Sequence, residues 1–274
     1  MATTTLPFAR TPERGALVRA VCVREWREAL GNRLLVAMTL LPPVVILAAG
    51  IGAVAAAAAN PPSDRDVQAM YAAAPAVVGL DPKEAIQGFI ATYFLILFML
   101  IPTVVPLTMA IFSVIGEKAA RTLEPLLATP VGVGELLLAK CLASTIPSVI
   151  VTWLAYGIYL LSVSAIGSQA AVRAVTAPRW VLAIVVMVPL LTLLSVTLGI
   201  LISTRVNDVR VAQQIGGLVV VPVVGLGIAQ VTGRVVLDNQ AFIQFTVFLI
   251  LVDAAVFFFA RLAFQRENIL ARWR

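Results

Sequence analysis

One ionisable side chain of this sequence falls clearly at the middle of a long apolar run: Asp253, in LILVDAAVFFF. A carboxylate at the centre of a bilayer costs roughly 2.5–3.5 kcal/mol on insertion scales, so it must face the bundle interior with a partner or stay protonated. Such a group could serve a proton or substrate relay, the chemistry of an ion-coupled carrier. The favoured alternative is a structural hydrogen bond to a neighbouring helix or a second subunit, because a single carboxylate is too little for a relay. Arg261, eight residues on, lies on a similar face but too near the end of the run to reach it.

Other chemistry is missing. The sequence contains no histidine, which removes the commonest general base, proton shuttle and zinc ligand together. Its many serines and threonines therefore have no imidazole to activate them. The nearest approach to a phosphate-cradling loop, Gly132-Val133-Gly134-Glu135, runs on to Ala139-Lys140 without the Gly-Lys-Ser/Thr that holds a nucleotide. No Gly-x-Gly-x-x-Gly follows a strand, and paired aspartates for catalytic metals are absent. The expectation is a chain with no catalytic residue, no metal site and no cofactor of its own.

The remaining concentration of polar chemistry is EKAARTLEPLLATPVGVGELLLAK, Glu117 to Lys140, a charged and proline-punctuated island between two apolar runs. Glu117, Lys118, Arg121, Glu124 and Glu135 make it read as a solvent-facing contact surface. Thr122 can N-cap a short helix, Glu124 favours its positive end, and Pro125 is tolerated in the first turn. Leu123, Leu126 and Leu127 supply an apolar ridge, and Thr129-Pro130 stops the helix before Gly132 and Gly134 reverse the chain. A short helix with a leucine ridge suits a groove on a cytoplasmic partner.

The elements that position these residues follow from composition. The chain is 61% hydrophobic and 12% charged, with a mean hydropathy of +1.00, against roughly 25% charged residues in a soluble domain. It is an integral membrane protein, and its net charge of +6 flanks apolar runs instead of forming a nucleic-acid surface. Spans are expected at about 34–59, 89–116, 136–166, 180–203, 211–231 and 241–264, the permease domain covering 34–264. Pro42-Pro43 should kink the first, whose Ala/Gly-rich second half (Ala48, Ala49, Gly50, Gly52, Ala53) suits close helix contact. Pro102 and Pro106 should break the second, and Gly216-Gly217, Pro222, Gly225 and Gly227 make the fifth irregular toward its far end.

Residues 1–12 read as a disordered cytoplasmic tail, 13–33 as an amphipathic interfacial helix, and 265–274 as a basic cytoplasmic tail. In the helix, Val18, Cys22, Trp26, Ala29 and Leu30 gather opposite Arg24, Arg27 and Glu28, with Trp26 suited to the headgroup level. Trp180 is placed to anchor at the other interface. Cys22 and Cys141 read as free thiols on a reducing face. Fifteen of the twenty basic residues fall on the side of the 117–140 stretch, which puts that stretch and both termini in the cytoplasm. An arginine-, alanine- and valine-rich composition points to a prokaryotic gene, hence a multi-pass protein of the inner membrane.

At the island the sequence resembles the ABC transporter type-2 permease family. The family pattern, Glu-Lys/Arg-x-x-Gly-Thr-Leu-Glu-x-Leu-Leu-x-Thr-Pro with a later Gly-Lys, is met by Glu117, Lys118, Thr122, Leu123, Glu124, Leu126, Leu127, Thr129, Pro130 and Lys140. Arg121 stands where glycine is usual, and Ala139 replaces the glycine before Lys140. REWREALGNRLLVAMTLLPP also resembles the family's interfacial helix running into a proline-containing first span. The resemblance implies an all-α membrane protein of six transmembrane helices with a cytoplasmic coupling helix between spans 2 and 3. It implies an exporter permease that pairs with a second, identical or similar permease in the lipid bilayer. Two copies of a separate ATP-binding subunit would carry the ATP and Mg. The residues from Glu117 to Pro130 named above would then couple to the ATPase. Two readings from other classes remain: an ion-coupled carrier using Asp253, and a non-transporting scaffold that docks a cytoplasmic protein.

Overall fold

The computed structural model describes residues 14–60, 62–73, 81–120, 133–231 and 239–263, and these are almost entirely helical, with no strand among them. The expected tails, 1–12 and 265–274, lie outside the described residues. Helix α1 (Arg14–Gly31) precedes α2 (Arg33–Ala59), which Asn32 caps by accepting the backbone N–H groups of Leu34 and Leu35 at 3.1 and 3.2 Å. A short α3 (Asp64–Ala73) follows, then α4 (Pro82–Phe98) and α5 (Ile101–Ala119). The long α6 (Val133–Ile166) leads to α7 (Gln169–Val175), α8 (Pro178–Leu182), a π turn over Ala183–Met187 and α9 (Val188–Arg205). Helix α10 (Val209–Gly216), a 3₁₀ turn over Gly217–Val220, α11 (Val221–Val231) and α12 (Asn239–Ala263) complete the order.

Among the described residues, six helical stretches are long and apolar enough to cross a membrane: Arg33–Ala59, Pro82–Ala119, Gly134–Ile166, Gln169–Arg205, Val209–Ala229 and Asn239–Leu262. At 1.5 Å per residue each exceeds a ~30 Å hydrocarbon core. The second is the most buried and forms the centre of the bundle. Its interruption falls at Met99 and Leu100, where the missing N–H of Pro102 leaves the Phe98 carbonyl without its ladder bond. Pro106, expected as a second break, lies inside the continuous α5, as Pro42 and Pro43 lie inside α2.

Packing explains where small residues matter. A Cβ on Gly50 would sit 3.0 Å from the rings of Phe94 and Tyr159, so α2 meets α4 and α6 along one stripe. The rest of the Ala/Gly half does not share this contact: Ala48, Ala49 and Gly52 are exposed, because a helix turns only one stripe toward its neighbours. Tyr159 O–H donates to the Ala91 carbonyl at 3.2 Å, and its ring lies 5.0 Å from Phe98. Gln87 accepts the Ser168 N–H at 2.6 Å, docking the start of α7 on α4.

Two further sequence expectations change. Trp180 is 1% exposed and packs edge-on against Phe242 at 5.3 Å, in the core instead of at the membrane interface. The irregularity of the fifth span lies at Gly217–Val220, in its first half, where two adjacent glycines weaken the α ladder, and not toward its far end.

Helices α5 and α9 approach closely at Gly199, where a Cβ would lie 3.1 Å from both the Leu107 carbonyl oxygen and the Ala110 Cβ. Backbone oxygen cannot move aside as a side chain can. Gly199→Val should therefore destabilise the detergent-solubilised chain by about 1–3 kcal/mol, read as a lowered thermal midpoint. Gly157→Ala, in the interior of α6 with nothing within 4 Å of its added Cβ, should not destabilise and should gain up to about 1 kcal/mol from helix propensity.

Candidate functional site

The described residues stop at Ala120 and resume at Val133, so both ends of the 121–132 segment are visible while the segment is not described. Arg121, Thr122, Leu123, Glu124, Pro125, Leu126, Leu127, Thr129 and Pro130, the body of the expected coupling helix, lie outside the described residues. What can be read is how its two ends are held.

Helix α1 lies against α6. Cys22 is buried, with its thiol 3.5 Å from the Ala139 carbonyl, and the Trp26 indole N–H donates to the Ala143 carbonyl at 2.7 Å. Burial, followed by the charge of Glu25, pushes the Cys22 thiol above its ordinary value, which keeps it a neutral donor. Trp26 thus spends its N–H on protein, not on the headgroup level. The grouping of α1 into one apolar and one charged side holds only in part, since Leu30 is 75% exposed while Glu25 turns inward and Arg24 reaches across to a buried carboxylate.

Those two residues open a chain of ion pairs. Arg24 meets Glu28 at 2.8 Å and Glu117 at 3.0 Å. The other oxygen of Glu117 lies 2.8 Å from Lys140 Nζ, which also meets Glu25 at 2.7 Å and donates to Ser113 Oγ at 2.9 Å. The bond to Glu28 holds the Arg24 guanidinium above its ordinary value. Exposure grades along the chain: Glu28 and Arg24 reach solvent, Glu117 is 5% exposed and Lys140 is 2% exposed. At the wet rim such a pair contributes at most about 1 kcal/mol. At the dry end, removal of one partner strands a charge and costs about 3–5 kcal/mol.

Glu117 is the last buried residue of α5 and Lys140 lies two turns into α6, so their bond closes the segment between them. The adjacent Lys118 turns the other way. Its ammonium meets the carbonyl of Ser203, and the Val206 carbonyl and Asn207 Oδ1 at 3.3 Å each, at the C-terminal end of α9 where a cation is favoured. At α6, Leu136, Leu137 and Cys141 are buried against α5, α9 and Ala260 of α12. Both ends of the 121–132 segment are therefore fixed to α1 and α9.

The solvent-facing reading of the island is thus corrected at its first residue: Glu117 is buried, with Arg24 and Lys140 against it among the described residues. Glu25 and Ser113 were not among the residues the sequence singles out, and Arg24 was placed only on the charged side of the interfacial helix. The signal for them was Lys140 itself, a lysine within the apolar LLLAKCLAS, which demands buried anions. Asp253 stands apart. It is 6% exposed on α12, and neither carboxylate oxygen has a hydrogen-bond partner among the described residues, so the expected bond to a neighbouring helix is not made among them.

The family model described as ABC-2 family transporter protein matches residues 19–246. The chain belongs to the ABC-2 transporter family. This ABC-2 protein is accordingly a multi-pass membrane permease of an ABC transporter, of a family whose membrane subunits are generally non-enzymatic and work with ATP-binding cassette subunits. The matched region takes in the whole ion-pair chain from Arg24 to Lys140. A search of curated proteins found no match.

Lys140→Met should cost the folded chain about 3–5 kcal/mol, because it leaves Glu117 and Glu25 facing an apolar group. Adding Glu117→Leu should restore most of that loss, since Glu25 and Arg24 are near enough to water to turn outward. Thermal unfolding in detergent checks both, and a double variant as unstable as Lys140→Met alone contradicts the pairing.

Proposed function

We propose that this permease is the membrane half of an ATP-driven exporter, in which two identical or similar six-span chains form the substrate pathway. Each is engaged by a separate ATP-binding subunit, which carries ATP and Mg. The observation that supports this reading best is the buried bond between Glu117 and Lys140, with Arg24 and Glu25 of α1 on either side. A segment clamped at both ends cannot absorb a push by stretching at its attachments. Movement of 121–132 is passed to α5 and α6 together, to α1 through Arg24 and Glu25, and to α9 through Lys118.

Within the segment, Thr122, Glu124 and Pro125 start a coupling helix and Leu123, Leu126 and Leu127 face a groove on the ATPase, with Arg121, Thr129 and Pro130 at its borders. Glu117 and Lys118 belong to the attachment, not to the docking surface. Helix α1 lies along the cytoplasmic interface and braces the joint, and the threefold excess of basic residues on that side keeps both termini and 121–132 in the cytoplasm of a prokaryote.

Asp253 takes no part in energising transport. It has no charged or hydrogen-bonding partner among the described residues with which to pass a proton.

Two experiments test the proposal. Glu124→Arg should leave membrane insertion intact while abolishing co-purification with the ATP-binding subunit or ATP-dependent transport. Full activity in that variant contradicts the docking role. Asp253→Asn should retain ATP-dependent transport in proteoliposomes, and transport that instead follows a proton gradient and is lost in Asp253→Asn supports the ion-coupled reading.

A further inference from the structure

A cleft of about 290 Å³ opens beside the ion pairs, where α1 passes into α2 and both lie against α5 and α6. Three carboxylates line it, those of Glu25, Glu28 and Glu117, and no cation does among the described residues. Arg24 and Lys140 bond the same carboxylates without lining the cleft themselves. Three anions against two cations leave this group one negative charge in excess. A cleft so lined repels anions and draws in a monovalent cation.

Two acceptors remain open toward it. Lys140 occupies Oε1 of Glu25, while Oε2 has no hydrogen-bond partner among the described residues. Ser144 of α6 is 5% exposed, and its hydroxyl likewise has no partner among the described residues. Ser148 and Thr152, farther along the same helix, satisfy theirs in the ordinary way, on the carbonyls of Ser144 and Ser148 at 2.7 and 2.8 Å. The unpartnered hydroxyls of Ser195 and Ser203 are sealed within the bundle, whereas that of Ser144 keeps a surface in the cleft it lines. A hydroxyl so deep and unbonded within the chain calls for a partner from outside. Ser144 lies one turn beyond Lys140 on α6, and Lys140 holds Glu25, so both acceptors border the same space.

The rest of the lining suits an organic cation better than a bare ion. Trp26 and Phe112 contribute aromatic walls, toward which ammonium groups are drawn, and Leu35 and Met109 supply apolar surface for a short stem. No group of side chains able to hold a metal ion lies among the described residues. The volume lies at the lower limit of small-molecule sites, roughly 300–1,000 Å³, which admits a small head group and not a whole amphiphile.

We propose that this cleft binds a primary ammonium group on a short apolar stem, with Glu25 Oε2 and Ser144 Oγ as its acceptors. Soluble alkylamines carry such a group, and so does the headgroup of an aminophospholipid. The site uses the ion-paired carboxylates but needs neither ATP nor a second chain, so ammonium binding and ATPase coupling stand or fall separately.

The test uses the full chain purified in non-ionic detergent, with dissociation constants read by ligand-observed NMR. Butylammonium at neutral pH should bind saturably, and butanol, the same stem without the charge, should bind about tenfold or more weakly. Ser144→Ala deletes a hydroxyl bonded to nothing within the chain, so the fold is retained. It should raise the butylammonium constant about tenfold, the loss expected of one hydrogen bond to a charged group. Dihexanoyl-phosphatidylethanolamine and dihexanoyl-phosphatidylcholine, whose quaternary ammonium has no N–H, separate the two sources. Saturable binding of butylammonium alone assigns the site to a soluble amine. Saturable binding of the phosphatidylethanolamine as well, with the phosphatidylcholine about tenfold or more weaker, assigns it to a lipid headgroup. Butylammonium that does not saturate, butanol that binds as tightly, or an affinity unaltered in Ser144→Ala overturns the proposal.

Discussion

A lysine ammonium withdrawn from water requires anions within a few ångströms, and the burial of Lys140 therefore dictates the arrangement of three helices. Glu117 brings the end of α5 to it and Glu25 brings α1. Glu117 in turn requires a second cation for its remaining oxygen, which Arg24 supplies at the solvent edge. Replacing the group by hydrocarbon would remove the desolvation penalty, so stability alone does not account for it. What the charges add is register: only one rotation of α1 against α5 and α6 lets all four side chains meet.

The same logic extends along the bundle. Lys118, one residue beyond Glu117, faces the carbonyls that end α9, so neighbouring positions of one helix are bonded to opposite sides of the joint. Gly199 then lets α5 and α9 lie almost in backbone contact above that bond. Under the proposed coupling, a displacement entering at 121–132 meets a stiff assembly near the ion pairs and, among the described residues, reaches interruptions within the spans at Met99–Leu100, Thr176–Ala177, Ala183–Met187 and Gly217–Val220. Those turns are where the spans have incomplete ladders and can change shape at least cost.

How far the sequence carries the account depends on the range of the interaction concerned. The six spans were legible because lipid imposes some twenty apolar residues on each, whatever their neighbours. The family was legible in the Glu117–Lys140 pattern because that pattern is local. The partners of Glu117 were not. Arg24 is 93 residues from Glu117, and Glu25, which meets Glu117 only through their shared Lys140, is 115 from that lysine, so only the fold brings them near. Trp180 illustrates the same limit, since an aromatic at the start of a span suits either a membrane interface or a core, and Phe242 of a distant helix decides for the core. In α1 the alternation of apolar and charged residues was real, yet it could not show that Arg24 and Glu25 would face protein while Leu30 faced outward. The site residues of 121–130 rest on the family pattern and remain part of the proposal.

The central claim is that α1, α5 and α6 move as one body when the ATPase acts. Spin labels on the exposed positions Arg27 of α1 and Leu138 of α6, with a third on Val185 in the π turn, test it in the assembled complex. On addition of ATP and vanadate, the Arg27–Leu138 separation should change by less than the ~2 Å of an ordinary helix shift while the Arg27–Val185 separation changes by more. A nucleotide-driven change in Arg27–Leu138 larger than that in Arg27–Val185 would contradict the account.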